Sequence, residues 1–260
     1  MSYWAQKRKS FYFFIFVLFL GGGVILPAYF LLYRPPTCFD GKQNGGERGI
    51  DCGGKCVKLC PSQYLEPNII WARAIKVKQN IYSALAYIEN PNIDAGADSI
   101  SYIFRIKDKE GILIYERKGK TSIPPNKFFA VFEDGISTGE KIPAEVFFEF
   151  TSNALWRKQD NKESGISVSR KEISNEEKSP RIDATLENKT LQHIFNVEVV
   201  AIVYDMDDNA LGFSRTFIDR FDKEGTQNIT FTWPRPFDGI VARIEIIPRV
   251  YTMIDIKNSL

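Results

Sequence analysis

Residues 11–33, FYFFIFVLFLGGGVILPAYFLLY, form one uncharged apolar run near the start of a 260-residue chain. At about 1.5 Å of rise per helical residue, such a run crosses a hydrocarbon core of about 30 Å. Lys7-Arg8-Lys9 precedes it and Arg34 alone follows. That imbalance predicts residues 1–10 as a cytoplasmic tail, 11–33 as a transmembrane helix in contact with the bilayer, and all that follows as extracytoplasmic. A cleaved secretory signal is the competing reading. Its apolar region spans about 7–15 residues and ends in a small-residue cleavage site, whereas this run is longer and ends in Phe30-Leu31-Leu32-Tyr33. Lipidation at Cys38 would need small residues before it, where Arg34-Pro35-Pro36-Thr37 stand. Gly21-Gly22-Gly23 and Pro27 are tolerated in a spanning helix, and the glycine face can pack a second helix closely.

All four cysteines, Cys38, Cys52, Cys56 and Cys60, fall in residues 38–60. Outside the cytoplasm this clustering predicts a small knot stapled by two disulfides, with three connectivities open. Zinc is the rival, but Cys52-x3-Cys56-x3-Cys60 lacks the usual C-x2-C spacing, and His193 is distant in sequence. Asp40, Asn44, Glu47 and Asp51 place four oxygen-bearing side chains among glycines, a set that can hold calcium although it does not follow the EF-hand order. Asx turns between the disulfides explain the same residues without a metal. The pattern C-x-D-G-x2-N-x2-E-x3-D-C-G-G-x-C resembles short cysteine-rich elements of bacterial secreted and surface proteins, which bring no catalytic role.

After Pro61 the chain alternates apolar and polar residues in short runs separated by turn residues. Residues 71–78, 81–89, 99–108, 111–117, 127–133 and 143–151 read as strands, and no long amphipathic helix intervenes. This predicts a first β-sandwich over 66–156. The polar stretch Arg157 to Gly165 reads as a link, and further strands predict a second sandwich over 165–252. The halves also look alike. Ala84-Leu85-Ala86-Tyr87-Ile88-Glu89-Asn90 parallels Ile182-Asp183-Ala184-Thr185-Leu186-Glu187-Asn188, and each half then has a strand ending in Asp, at Asp108 and Asp205, before a tight turn. Asn188, Val203-Tyr204-Asp205 and Asn209, with Asn90, Asp108 and Gly111 in the first half, resemble FxLYD-type domains and the related late-embryogenesis-abundant sandwiches. The resemblance implies immunoglobulin-like, non-enzymatic modules. The expected fold class is therefore mainly β: an N-terminal transmembrane helix, a small disulfide-rich segment and two immunoglobulin-like β-sandwich domains.

The formal net charge of +2 gives no case for nucleic-acid binding. Nucleophilic catalysis of the Ser-His-Asp or Cys-His kind has only His193 to draw on, with no flanking nucleophile motif. Acidic pairs such as Asp205 with Asp207 fit turns, and no phosphate loop or cofactor fingerprint is present. Phe148, Phe150 and Trp156 read as core, while Trp233-Pro234-Arg235-Pro236-Phe237 is the best candidate for an exposed binding loop. The chain is expected to be no enzyme and to need no cofactor beyond that calcium. It reads as a membrane-anchored binding or scaffolding protein of the cell envelope with a protein partner at the cell surface. Its alternatives are a structural subunit of an envelope or secretion complex, or a carboxylate-based hydrolase.

Overall fold

The computed structural model describes residues 3–160 and 165–251. The chain divides into two compact units, one ending at Cys56 and the other beginning at Val57.

In the first unit, α1 (Tyr3–Leu20), a π-helical turn (Gly21–Ile25) and α2 (Leu26–Leu32) follow without a break. Over Gln6–Leu32 this helix is long and apolar enough to cross a membrane, and its most apolar window is not buried in protein among the described residues. Pro27 accounts for the π turn. It has no N–H to give, and its ring crowds the carbonyl four residues back, so the ladder slips by one residue: Leu26 N–H bonds Gly21 O, five positions earlier. Beyond the helix, Cys38 and Cys56 form a disulfide, with Cα atoms 5.7 Å apart. Cys52 and Cys60 are disulfide-bonded as well, so no cysteine thiol is available to bind zinc. Gly54 is indispensable to this segment: it adopts φ +61°, and a Cβ there would lie 2.0 Å from Gly46 O.

Among its described residues the second unit holds thirteen strands, all paired antiparallel. The first seven are β1 (Asn68–Lys78), β2 (Ile81–Asn90), β3 (Ala95–Lys107), β4 (Leu113–Ile123), β5 (Lys127–Ser137), β6 (Glu145–Phe150) and β7 (Trp156–Lys158). The other six are β8 (Ile166–Ser174), β9 (Arg181–Asn188), β10 (Ile194–Tyr204), β11 (Ala210–Phe221), β12 (Thr226–Thr232) and β13 (Arg243–Val250). They form four sheets. In the first sandwich the orders are β1-β2-β5 and β4-β3-β6, with β7 also on β3; in the second they are β8-β9-β12 and β11-β10-β13. Strands β8 to β13 repeat the order of β1 to β6, in keeping with the sequence parallel, and β7 has no counterpart.

Asn90 and Asn188 show how deep the repeat goes. Each ends the second strand of its sandwich and is almost wholly buried. Asn90 Nδ2 donates to Ala95 O and Pro124 O, while its Oδ1 accepts from Asn92. Asn188 Nδ2 donates to Gln192 O and Asp222 O, while its Oδ1 accepts from Thr190. Each buried amide thus satisfies main-chain groups of turns later in the chain. Asp108 and Asp205 likewise match, each accepting a main-chain N–H four residues on, from Ile112 and Asn209.

Each sandwich has its own core. Ala84, Ile88, Phe104, Phe129 and Trp156 fill the first; Ile182, Leu186, Val199, Val203 and Phe231 fill the second. A third core joins them. Leu85, Ala130 and Phe132, on the outer face of β1-β2-β5, pack with Val200, Ile202, Tyr204, Phe213 and Ile247 of β11-β10-β13. Strand β10 is therefore buried on both faces from Val197 to Tyr204. A charged link between independent halves would leave few contacts across it, whereas the third core packs the two halves together. The link is also shorter than the polar stretch suggests. Arg157 and Lys158 belong to β7, where Lys158 N–H bonds Val57 O, and Leu59 N–H bonds Trp156 O beside them. Residues 161–164 of the stretch and residue 252 of the second sandwich lie outside the described residues.

Candidate binding site

A cavity of about 500 Å³ opens where the two sandwiches meet, between β4 and β5 on one side and β10 and β11 on the other. Its floor is an ion-pair network running through the end of the third core. Glu198 follows apolar Val197 on β10, and its side chain is almost completely buried. Burying a carboxylate alone is prohibitive, so partners must converge on it. Arg249 Nη2 of β13 lies 2.8 Å from Glu198 Oε2 and Arg215 Nη1 of β11 lies 3.3 Å from Oε1. The Tyr251 hydroxyl donates to Oε2 as well, at 3.0 Å. Arg249, itself 3% exposed, reaches across to the first sandwich, where its Nη1 donates to Thr121 Oγ1 at 2.8 Å. Arg215 does the same toward Asp134 at 3.2 Å, with its guanidinium 4.9 Å from the Phe132 ring. Its Nη2 and Nη1 thus tie one sandwich to the other.

A second network meets the cavity from the first sandwich. The Tyr102 hydroxyl donates to Glu133 Oε1 at 2.6 Å, and Arg117 Nε lies 3.3 Å from Oε2. Burial foremost, and then the charge of Glu133, push the Tyr102 phenol well above its ordinary range, which keeps it a donor. Gly119 of β4 makes room for it: a Cβ there would sit 2.4 Å from the Tyr102 ring. At the opposite end of the third core, Tyr87 donates to Glu245 at 2.8 Å, Trp71 and Tyr87 stack at 5.5 Å, and the Arg243 guanidinium lies 3.9 Å over Tyr204.

Glu133 and Glu198 both face the cavity, the arrangement a carboxylate hydrolase would require. Yet both oxygens of each are already engaged by a guanidinium or a phenol. The arrangement locks the two modules to each other. The cavity residues come from strands far apart in sequence, and the one local signal was Glu198, a carboxylate amid the apolar run of β10.

The residues singled out from sequence fall as follows. Asp40, Asn44, Glu47 and Asp51 do come together in one turn-rich segment. Asp51 accepts the Gly41 N–H on both oxygens, Asp40 accepts from Lys42 N–H and Asn44 Nδ2, and Glu47 Oε2 accepts from Asn44 and Asp51 N–H. The Asp40–Lys42 bond is that of an Asx turn and the others tie the loop to itself; of the four side chains, Asn44 Oδ1 is buried without a hydrogen-bond partner. Cys38, Glu47 and Cys56 lie close enough to share a metal, but the two sulfurs are bonded to each other. His193 Nδ1 lies 3.0 Å from Asp222 and accepts the Lys223 N–H in a surface turn. Trp233 is not an exposed platform. It packs at 5.1 Å from Phe237 in the second core, and Arg235 Nε donates to Lys76 O of β1.

No protein-family model matches the sequence, and no curated protein matches it. Among solved structures, the chain aligns with β-glucuronidase 2 of Bacteroides uniformis covalently bound to cyclophellitol-6-carboxylate aziridine, at 14% identity and TM-score 0.25 over 68% of this chain and 25% of that one. It also aligns with the calcium binding domain CBD12 of CALX1.1, at 13% identity and TM-score 0.20 over 70% of this chain and 81% of that one. The chain spans about a quarter of the glucuronidase's length. Likeness at this level carries no statement about function.

Proposed function

We propose that the chain is a membrane-anchored binding or scaffolding protein of the cell envelope, N-terminus inside and sandwiches outside, whose two modules act as one body. The observation that carries the reading is the junction of the modules. Eight apolar side chains form its core, and Arg249 and Arg215 cross it to Thr121 and Asp134. Two modules that merely tethered a partner at either end would need no such core, whereas a body that presents a surface in fixed orientation does. The address is supported by an apolar helix of spanning length followed by cysteines that are disulfide-bonded, a state that persists in oxidising compartments.

The test is topological. Protease added to intact spheroplasts digests the part after Cys38, and alkylation under non-reducing denaturation leaves all four cysteines unmodified. Full protection of that part together with four reactive thiols refutes the reading.

A further inference from the structure

The cavity at the junction has one wall unlike the others. Five consecutive residues of β4, Arg117 to Thr121, line it. Strand β4 is the edge of its sheet, paired only with β3. An edge strand directs alternate main-chain N–H and C=O groups away from its one partner, and here they face a space of about 500 Å³. The side chains around that space are largely engaged with each other: Arg117 with Glu133, Arg215 with Glu198 and Asp134. A ligand recognised through side chains, as a sugar would be by its hydroxyls, would have to displace those pairs. The main-chain edge requires no such exchange.

Two charges on the lining strands are uncommitted: Asp219 of β11, in line with Arg215 and Phe217 on the cavity side, and Lys120 at the free edge of β4, on the sheet face it shares with Ser101 and Arg105. Lys120 of β4 and Asp219 of β11 make no ion pair among the described residues. On the Asp219 wall, Phe217 is 55% exposed, an apolar face beside the acid. We propose that the cleft is a docking site for an extended peptide segment of a partner protein, which adds as a further strand to the free edge of β4. On the cavity side a basic side chain of the segment meets Asp219 and an apolar one covers Phe217, and on the alternate face an acidic side chain meets Lys120. Main-chain bonds to β4 provide affinity and these three contacts provide selectivity. The proposal deepens the binding reading above by naming the partner's chemistry, and the site itself does not depend on membrane topology.

The experiment uses the full-length protein in detergent micelles, panned against a displayed library of random nonapeptides. Enriched peptides are resynthesised with a single N-methyl group at each position in turn, and Kd is read by fluorescence anisotropy. Loss of a ladder bond at every second position, with the intervening positions unaffected, is the expected pattern, at about tenfold per affected position. Lys120→Glu and Asp219→Lys each weaken binding about fivefold or more while circular dichroism is unchanged. Absence of enrichment over empty micelles, an N-methyl scan without period two, or indifference to both variants overturns the proposal. So does binding of a saccharide from a glycan array that Phe217→Ala abolishes. The spheroplast digestion can fail while this assay succeeds, and the reverse, so the address and the docking site stand or fall separately.

Discussion

Replacing Leu85 by aspartate tests whether the third core makes the two sandwiches one folding unit. Leu85 is fully buried, yet it points out of its own sandwich toward Val200, Ile202 and Tyr204. At the matching position of the second sandwich stands Asp183, which faces outward with 47% of its side chain exposed. The change therefore gives the first module the outer-face residue of the second and leaves its own core untouched. Burial of a leucine contributes about 1.5–3 kcal/mol, and an unpaired carboxylate in its place adds at least about 2–3 kcal/mol more. A loss of about 4–6 kcal/mol, at about 2–4 °C per kcal/mol for a domain of this size, lowers Tm by about 8–24 °C. Opening the junction relieves the penalty, so calorimetry of the full chain in detergent is expected to show one transition in the native protein and two in the variant. Asp183→Leu, the reciprocal change on an exposed face, leaves a single transition. A Leu85→Asp protein that unfolds in one transition within about 2 °C of the native midpoint refutes the reasoning.

Three further outcomes follow from the same geometry. Arg249→Leu leaves Glu198 short of its closest cation and costs about 3–5 kcal/mol in chemical unfolding, while adding Glu198→Leu recovers part of that loss; additive losses would show that the pair is uncoupled. Asn90→Ala and Asn188→Ala each remove the amide that two main-chain carbonyls bond, buried ones at Asn90 and partly buried ones at Asn188, and cost about 1–3 kcal/mol; a loss below about 0.5 kcal/mol at either site contradicts the matched roles. Asp183 has its carboxyl pushed down to about 2, first by the Arg181 guanidinium and then by the Thr230 hydroxyl. A depressed carboxylate stabilises above its unfolded value near 4 and loses that contribution as pH falls through the folded one, so the native chain weakens between about pH 4 and 2. Asp183→Asn is expected to flatten that slope, and an unchanged acid-unfolding profile contradicts it.

Much of this fold is legible in the chain. Period-two runs locate the strands, and the parallel between residues 84–90 and 182–188 anticipates that the sandwiches share one topology. The same parallel also held the location of the junction. Aligned side by side, Leu85 and Tyr87 stand against Asp183 and Thr185, and the strands ending in Asp108 and Asp205 set Arg105 and Lys107 against Ile202 and Tyr204. One outward face of each module is apolar and its counterpart is charged, and the apolar faces are the ones that meet. Reading each half alone hides this, because an apolar residue in a strand looks like core whichever side it faces. The cavity was not legible. Arg249 in a short strand looks like any surface arginine, and only the pairing of β10 with β13 brings it to Glu198. Trp233 misled for a physical reason: prolines around an aromatic suggest an exposed loop, but Gly212 leaves space that Phe237 and Trp233 close over.

The modules meet through unlike sheets, β1-β2-β5 of one against the counterpart of β4-β3-β6 in the other. Such a head-to-tail contact has no symmetry to close it, and repeated from molecule to molecule it would grow into a filament. The free ends of this pair are built against growth. At one end Arg105 pairs with Glu116 and Glu149; at the other Arg181 and Thr230 hold Asp183, and Thr185 bonds Asn228. Each is the polar terminus of a two-unit array, in the manner of the capping repeats of longer solenoids. The charges on those end faces therefore serve solubility as much as local stability, and they hold the stacking of these modules to a single step.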